Sequence, residues 1–162
     1  MRPLITIGIP TWNRSEYLKR CLDSVIPQVE DLAKNGIRVE VLISDNCSGD
    51  GTQQVVKRLQ QRFDFISYSR NEGNLGFKGN LLRTLELAAG QYVWFLGDDD
   101  KVRPDGLKKM IDIVRQNPEM PLIFIAACDG QGEKYFFKSL ADDIIIDFAG
   151  LIRRHRNDIG QI

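Results

Sequence analysis

YVWFLGDDDKVRP, residues 92–104, holds the two features that decide the architecture. The run from Tyr92 to Leu96 is nearly continuous in apolar residues. That is the composition of a strand covered on both faces, as in a parallel sheet, and not the alternation of a strand with one wet face. Directly behind it stand Asp98, Asp99 and Asp100. A solvent turn needs polarity, but it does not need consecutive like charges. Carboxylates crowded together raise one another's pKa unless something positive joins them. Hard cations such as Mg2+ and Mn2+ resolve that repulsion, often with one or two carboxylates plus substrate phosphates. The plainer reading is an acidic cap for the helix that Pro104 opens, since a helix N-terminus favours acids. Position at a strand end favours the metal.

The same pattern repeats on either side of this stretch. Leu4 to Ile9 reads as a strand rich in β-branched residues and closed by Pro10. Ser15 is placed to cap a helix whose apolar face carries Leu18, Cys21, Leu22 and Val25, with Pro27 expected to kink or split it and Asn35-Gly36 to end it. Val39 to Ile43 is the next strand. Thr52 can cap a helix with Val55, Val56 and Leu59, and Phe65 to Tyr68 is a short strand. The Gly/Asn-rich RNEGNLGFKGN leads into a helix with Leu81, Leu82, Leu85 and Leu87, stopped by Gly90. After Pro104 a helix carries Leu107, Met110, Ile111 and Val114, and LIFIAA (122–127) follows as a buried-type strand. Alternating strands and helices imply an α/β fold, an open, mostly parallel sheet with helices on both faces. Beyond residue 128, KYFF and DIIID are candidate short strands of an added hairpin. Residues 1–128 read as the core domain and 129–162 as the start of a second region, truncated where the chain stops at RNDIGQI.

Composition narrows the function classes. With 22 basic and 22 acidic residues the chain has no global field to attract nucleic acid. Cys21, Cys47 and Cys128 are odd in number and widely spaced, fit neither a disulfide framework nor a zinc site, and point to a reducing, cytoplasmic setting. No signal-peptide layout or membrane-spanning run is present. LIRRHRN (151–157) is either a solvated basic face or a patch for peripheral association with a membrane surface.

In open α/β sheets ligands bind beyond the carboxyl ends of the strands. Three polar loops fall there: PTWNR (10–14), SDNCSGDGT (44–52) and GDDD (97–100). Asp45 with Asn46 could meet a nucleobase edge or only cap a turn. Asp50-Gly51-Thr52 most simply caps the next helix. Asn13 and Arg14 are cap-region residues or, for Arg14, a phosphate partner. Lys78 is a second phosphate candidate or a solvated lysine. Trp12 either stacks on a base or packs. Gly73 and Gly76 lack phosphate-loop spacing.

Taken together, PTWNR, SDNCSGDGT, the Gly/Asn-rich loop and WFLGDDDKVRPDGL resemble family 2 glycosyltransferases of the GT-A fold, from about Leu4 to about Met110. The resemblance implies a Rossmann-like sheet, a nucleoside-diphosphate sugar donor (UDP, dTDP, GDP or CDP type) and Mn2+ or Mg2+. It implies a carbohydrate or lipid-linked saccharide acceptor and work at the inner face of the membrane. Pro10, Thr11, Asn13 and Arg14 would lie against the nucleotide. Asp45, with Asn46 beside it, matches the residue that binds the base. Asp98 and Asp99 match the Asp-rich motif that meets ribose and metal, with Asp99 the expected metal ligand. Many members open this motif with Asp where this chain has Gly97, and Asp100 would substitute in part. The GDDD form looks most like bacterial surface-polysaccharide transferases of abequosyltransferase-like or rhamnosyltransferase-like kind. The catalytic base is unassigned: Asp129, Asp142, Asp143 and Asp147 sit in no matching motif. A nucleotide-sugar-binding module without turnover is the alternative. A phosphatase or a receiver domain needs an acid after the first strand, where PTWNR has none.

Overall fold

In the computed structural model of the protein, which describes residues 2–116, 118, 127–128 and 134–135, four parallel strands form one sheet. They are β1 (Ile5–Thr11), β2 (Val39–Asp45), β3 (Ile66–Arg70) and β4 (Tyr92–Phe95), in the order β3-β2-β1-β4. Helices α1 (Ser15–Lys34), α2 (Thr52–Gln60) and α3 (Gly76–Leu87) connect them. All four strands run the same way, so the loops after Thr11, Asp45, Arg70 and Phe95 share one edge.

The core follows from the strand period of two. Ile5, Ile7 and Ile9 of β1 are buried on one face, while Thr6 and Gly8 alternate onto the other. A Cβ on Gly8 would come within 2.7 Å of Thr84 in α3, so glycine there lets α3 sit close on β1. α1 packs with α2, and α3 covers the opposite face.

Several local expectations change. Pro27 does not split α1, which continues through it to Lys34 with Pro27 on its exposed side. The missing N–H there is needed only by a carbonyl that water can reach. Helix α1 does end at Asn35-Gly36. Gly36 has φ +73°, its N–H donates to Ala33 O, and the Ile37 N–H donates to Leu32 O. That double closure needs a left-handed residue. Ser15 begins α1 without capping it: Arg14 holds the cap position, and the Asp50 carboxylate accepts the Ser15 N–H at 2.9 Å. Asp50 also accepts the Thr52 N–H at 2.9 Å, so Asp50 and not Thr52 satisfies the start of α2.

β1 runs on through Pro10 to Thr11. Tyr92 and Leu96 donate to Leu4 O and Gly8 O, so even-numbered residues of β1 bond toward β4. The absent N–H of Pro10 therefore falls past the end of β4. Tyr92 to Phe95 are half-buried, not covered on both faces, because among the described residues β4 is an edge of the sheet. Gly90 does not stop α3, which ends at Leu87. Its Cβ would lie 2.4 Å from the Thr6 backbone nitrogen, so it is there to let the chain pass β1. Pro104 lies two residues before α4 (Gly106–Gln116) instead of inside its first turn.

The chain divides into two compact units, Met1–Ile111 and Asp112–Ile162. In the second, β5 (Ala127–Cys128) pairs antiparallel with β6 (Lys134–Tyr135). Of the LIFIAA strand only Ala127 is described, and of KYFF only Lys134 and Tyr135. DIIID, LIRRHRN and the acids Asp129, Asp142, Asp143 and Asp147 lie outside the described residues. Among the described residues no helix is long and apolar enough to cross a membrane.

Candidate nucleotide and metal site

The GDDD stretch is a tight turn closed by the Asp100 N–H donating to Gly97 O at 3.1 Å. It brings Asp98 beneath the end of β1. Thr11 Oγ1 donates to Asp98 Oδ2 at 2.7 Å, inside the protein. Arg14 Nη1 donates to Asp98 Oδ1 and to Asp99 Oδ2, both at 3.0 Å. Asp98 has a side chain only 6% exposed, whereas that of Asp99 is 51% exposed. In the structure the positive group that meets Asp98 and Asp99 is an arginine. Hydrogen bonding to Asp98, then its charge, then the bond to and charge of Asp99, push the Arg14 guanidinium above its usual pKa. Cys21 lies buried below, with its Sγ 3.6 Å from Gly97 O. Burial first, then the charges of Asp100, Asp98 and Asp99, push its thiol up to about 12.

The second loop is stitched to the first. The Asn13 N–H donates to Ser48 Oγ at 2.9 Å, and the Gly49 N–H donates to Asn13 Oδ1 at 2.7 Å. Asn13 and Cys47 hold positive φ, 53° and 66°, to make these corners. Asp45 is wholly buried. Its Oδ1 accepts the Ser48 N–H at 2.9 Å, its Oδ2 accepts the Tyr68 hydroxyl at 2.6 Å, and Arg70 Nε lies 3.8 Å away. Burial, then the bond to and charge of Asp45, raise the Tyr68 pKa against the lowering charge of Arg70.

Asn46 is also buried, and its amide is full. Nδ2 donates to Asn74 Oδ1 at 2.7 Å and to Gly76 O at 3.2 Å. Oδ1 accepts from Leu75 N at 2.8 Å and from Asn71 Nδ2 at 3.1 Å. Two donor hydrogens and two lone pairs are all that an amide side chain has. Asn80, buried in α3, extends the network. Its Oδ1 accepts from Ser44 Oγ at 2.8 Å and from Asn71 Nδ2 at 3.0 Å, and its Nδ2 donates to Ser44 O at 2.9 Å.

The fold therefore joins Thr11, Asn13, Arg14, Asp45, Asp98 and Asp99 into one edge. Pro10 is the penultimate residue of β1, in register with Ser44. Asp100 is exposed in the turn and Trp12 is half exposed. Lys78 is exposed on the first turn of α3 and stands apart from the hydrogen-bonded set. The sequence reading missed Tyr68, Asn71 and Asn80. The signal available was a polar residue at each of two otherwise apolar positions, Ser44 in β2 and Asn80 on the covered side of α3. A cavity of about 370 Å³ lined by Pro3, Val29, Arg38 and Phe65 lies instead at the amino ends of the strands, the wrong edge for a ligand of this architecture.

Among the described residues no group of three or more His, Cys, Asp or Glu side chains is disposed to hold a metal by itself. The donor set nonetheless suits a hard cation. Two carboxylates already converge on one positive nitrogen, and Mg2+ or Mn2+ commonly takes one or two carboxylates and completes its shell with phosphate and water.

A four-stranded parallel sheet whose carboxyl edge gathers an acid pair, an arginine and a buried aspartate is the architecture of a Rossmann-like domain of the GT-A type. The chain belongs to glycosyl transferase family 2, whose model matches residues 6–160. It is 41% identical over 105 residues to abequosyltransferase RfbV of Salmonella typhimurium, covering 64% of this chain and 30% of that protein. It is 33% identical over 110 residues to the GalNAc(5)-diNAcBac-PP-undecaprenol beta-1,3-glucosyltransferase of Campylobacter jejuni, covering 67% and 34%. Among solved structures it matches S. aureus TarS 1–349 in complex with UDP-GlcNAc, with TM-score 0.61, 28% identity and coverage of 73% and 32%. It also shares its fold with the mannosyltransferase PcManGT of Pyrobaculum calidifontis, with TM-score 0.60, 24% identity and coverage of 70% and 33%. The chain spans about a third of the length of these proteins.

Proposed function

We propose that this chain carries the donor half of a metal-assisted, inverting glycosyltransferase of bacterial surface-polysaccharide or O-antigen synthesis. It would move a hexosyl or deoxyhexosyl group from a nucleoside diphosphate to a saccharide or lipid-linked saccharide hydroxyl. The observation that carries the reading is the junction of Thr11 and Arg14 with Asp98 and Asp99 at the carboxyl edge of a family 2 sheet. Similarity to a UDP-GlcNAc-bound protein supports a nucleotide-sugar donor, and the named undecaprenol-linked relative supports a lipid-linked acceptor. The reaction would take place in the cytoplasm, at the inner face of the membrane.

In this reading each residue has a distinct task. Asp45, buried and fixed by Ser48 and Tyr68, would hold the loop beside which the base lies. Asn46 shapes the loop from Asn71 to Gly76 and does not touch the nucleotide, because its hydrogen-bonding capacity is spent. Pro10, Thr11 and Asn13 form the wall against which the nucleotide lies. Lys78 and Arg14 supply positive charge for the diphosphate. Asp98 aligns ribose and turn, while Asp99, with Asp100 in part, would hold Mn2+ or Mg2+. When bound, that ion supplies Lewis-acid neutralisation of charge on the leaving diphosphate. Residues 129–162 would begin the acceptor side, where a carboxylate base belongs; none is assigned.

A thermal-shift screen of UDP, dTDP, GDP and CDP, each with and without Mn2+, tests this. A matched nucleotide at about 100 times its Kd stabilises by about 2.7 kcal/mol, roughly 5 to 10 °C for a chain of this size. The reading predicts such a rise for at least one nucleotide and only with metal. No rise with any of the four would overturn it.

A further inference from the structure

Arg14 does not grip the acid pair as a two-pronged fork. A single nitrogen, Nη1, is shared between Asp98 Oδ1 and Asp99 Oδ2, at 3.0 Å from each. That is the position of a bridging cation, and a second cation cannot occupy it at the same time. Among the described residues, Nε and Nη2 of Arg14 make no hydrogen bond, so the guanidinium keeps donors for an incoming anion. Its centre also lies 5.4 Å from the Tyr17 ring, which Arg20 approaches to 4.6 Å, so the guanidinium is held from two sides while it bridges the acids. Release would leave Asp98 Oδ2 held by Thr11 Oγ1 at 2.7 Å and would free Oδ1 and its charge for another cation.

We propose that Arg14 is a built-in competitor for the divalent ion: it neutralises Asp98 and Asp99 in the nucleotide-free protein and yields that position when a nucleoside diphosphate arrives to receive its guanidinium. The inference rests on the metal-assisted reading above and adds that metal occupancy is conditional on nucleotide. The device keeps the acid pair from collecting free divalent ions. It also moves a positive charge from protein carboxylates to substrate phosphate in the same event.

Two measurements on the full chain decide it. Manganese binding without nucleotide, followed by loss of the free Mn2+ electron-spin signal, is compared for the parent, Arg14→Gln and Lys101→Gln. Lys101 adjoins the triplet and is exposed, so it reports the effect of removing a nearby charge without a direct contact. Arg14→Gln is expected to bind Mn2+ about tenfold more tightly than the parent, and Lys101→Gln to differ by only about twofold, as for a screened charge. Equal affinities for the two variants would overturn the inference while leaving the metal reading standing. Absence of Mn2+ binding in every protein, even with a nucleoside diphosphate present, would overturn both. The second measurement needs no variant. Nitrogen NMR of the parent should show the Arg14 side-chain signal shift when Mg2+ and UDP are added together and stay in place with Mg2+ alone. A signal unmoved by the pair, under conditions where UDP binds, contradicts the exchange.

Discussion

Replacing Asn46 by alanine removes four hydrogen bonds at once, and the structure shows which of them matter. Two partners keep other bonds: Asn71 Nδ2 still donates to Asn80 Oδ1 at 3.0 Å, and Asn74 Oδ1 still accepts the Gly76 N–H at 2.8 Å. The Leu75 N–H, at the start of α3, loses the one acceptor it has among the described residues, and Gly76 O loses its side-chain donor. Each net hydrogen bond contributes about 1 kcal/mol, and a part-buried donor left unmet costs about 1 to 3 kcal/mol. The sum is a loss of roughly 2 to 4 kcal/mol. Urea unfolding followed by far-UV circular dichroism measures it. The same variant should weaken all nucleotides by a similar factor, since the loop is loosened and no base contact is lost. A loss of stability under about 1 kcal/mol would show that the network is not holding the loop. A loss of affinity confined to one base would show that Asn46 reads the base directly.

Gly90→Ala should destabilise by about 3 kcal/mol or more, because its Cβ would strike the Thr6 backbone nitrogen at 2.4 Å and neither chain can yield cheaply; a melting point within a degree or two of the parent refutes that. Asp50→Ala should cost about 1 to 2 kcal/mol near neutral pH, because one carboxylate serves the starts of two helices. Burial alone would raise the Asp50 pKa, but bonds from Thr52 and Ser15 outweigh it and hold it below its ordinary 3.8. The contribution is therefore complete above about pH 4 and fades as pH falls through the lower folded value. The melting-point gap between parent and variant should close in that acidic window, and a gap independent of pH would contradict the assignment. Alkylation by iodoacetamide followed by peptide mass spectrometry should label half-exposed Cys47 well before buried Cys21, whose thiol is pushed up to about 12; equal labelling would refute it.

The fold was legible because apolar runs and helical periods are local signals, and parallel order follows from their alternation. The boundaries were less so. Pro10 reads as a strand stop unless the end of β4 beside it is known, and Pro27 reads as a helix break unless its outward position is known. Gly90 looks like a helix terminator by spacing, yet its reason is a backbone contact with β1, far away in sequence. In the site, the repulsion within Asp98–Asp100 pointed to a positive partner, read from the sequence as a divalent ion. It could not reveal that Arg14, more than eighty residues earlier, already meets two of the three. Nor could spacing show that Asn46 is consumed by the loop after β3. Its partners Asn71, Asn74 and Leu75 are assembled only when β2 and β3 lie side by side.

The most direct measurement is the anomalous diffraction of manganese in a crystal of the chain soaked with Mn2+ and the nucleoside diphosphate that gives the largest thermal shift. The expected result is one strong peak in coordination contact with the Asp99 carboxylate, roughly 2.0 to 2.2 Å away, with nucleotide phosphate on its other side and the base beside Asp45. A nucleotide bound at that edge with no manganese at the acid pair, or one bound instead among Pro3, Val29 and Arg38 at the amino ends of the strands, would contradict the account.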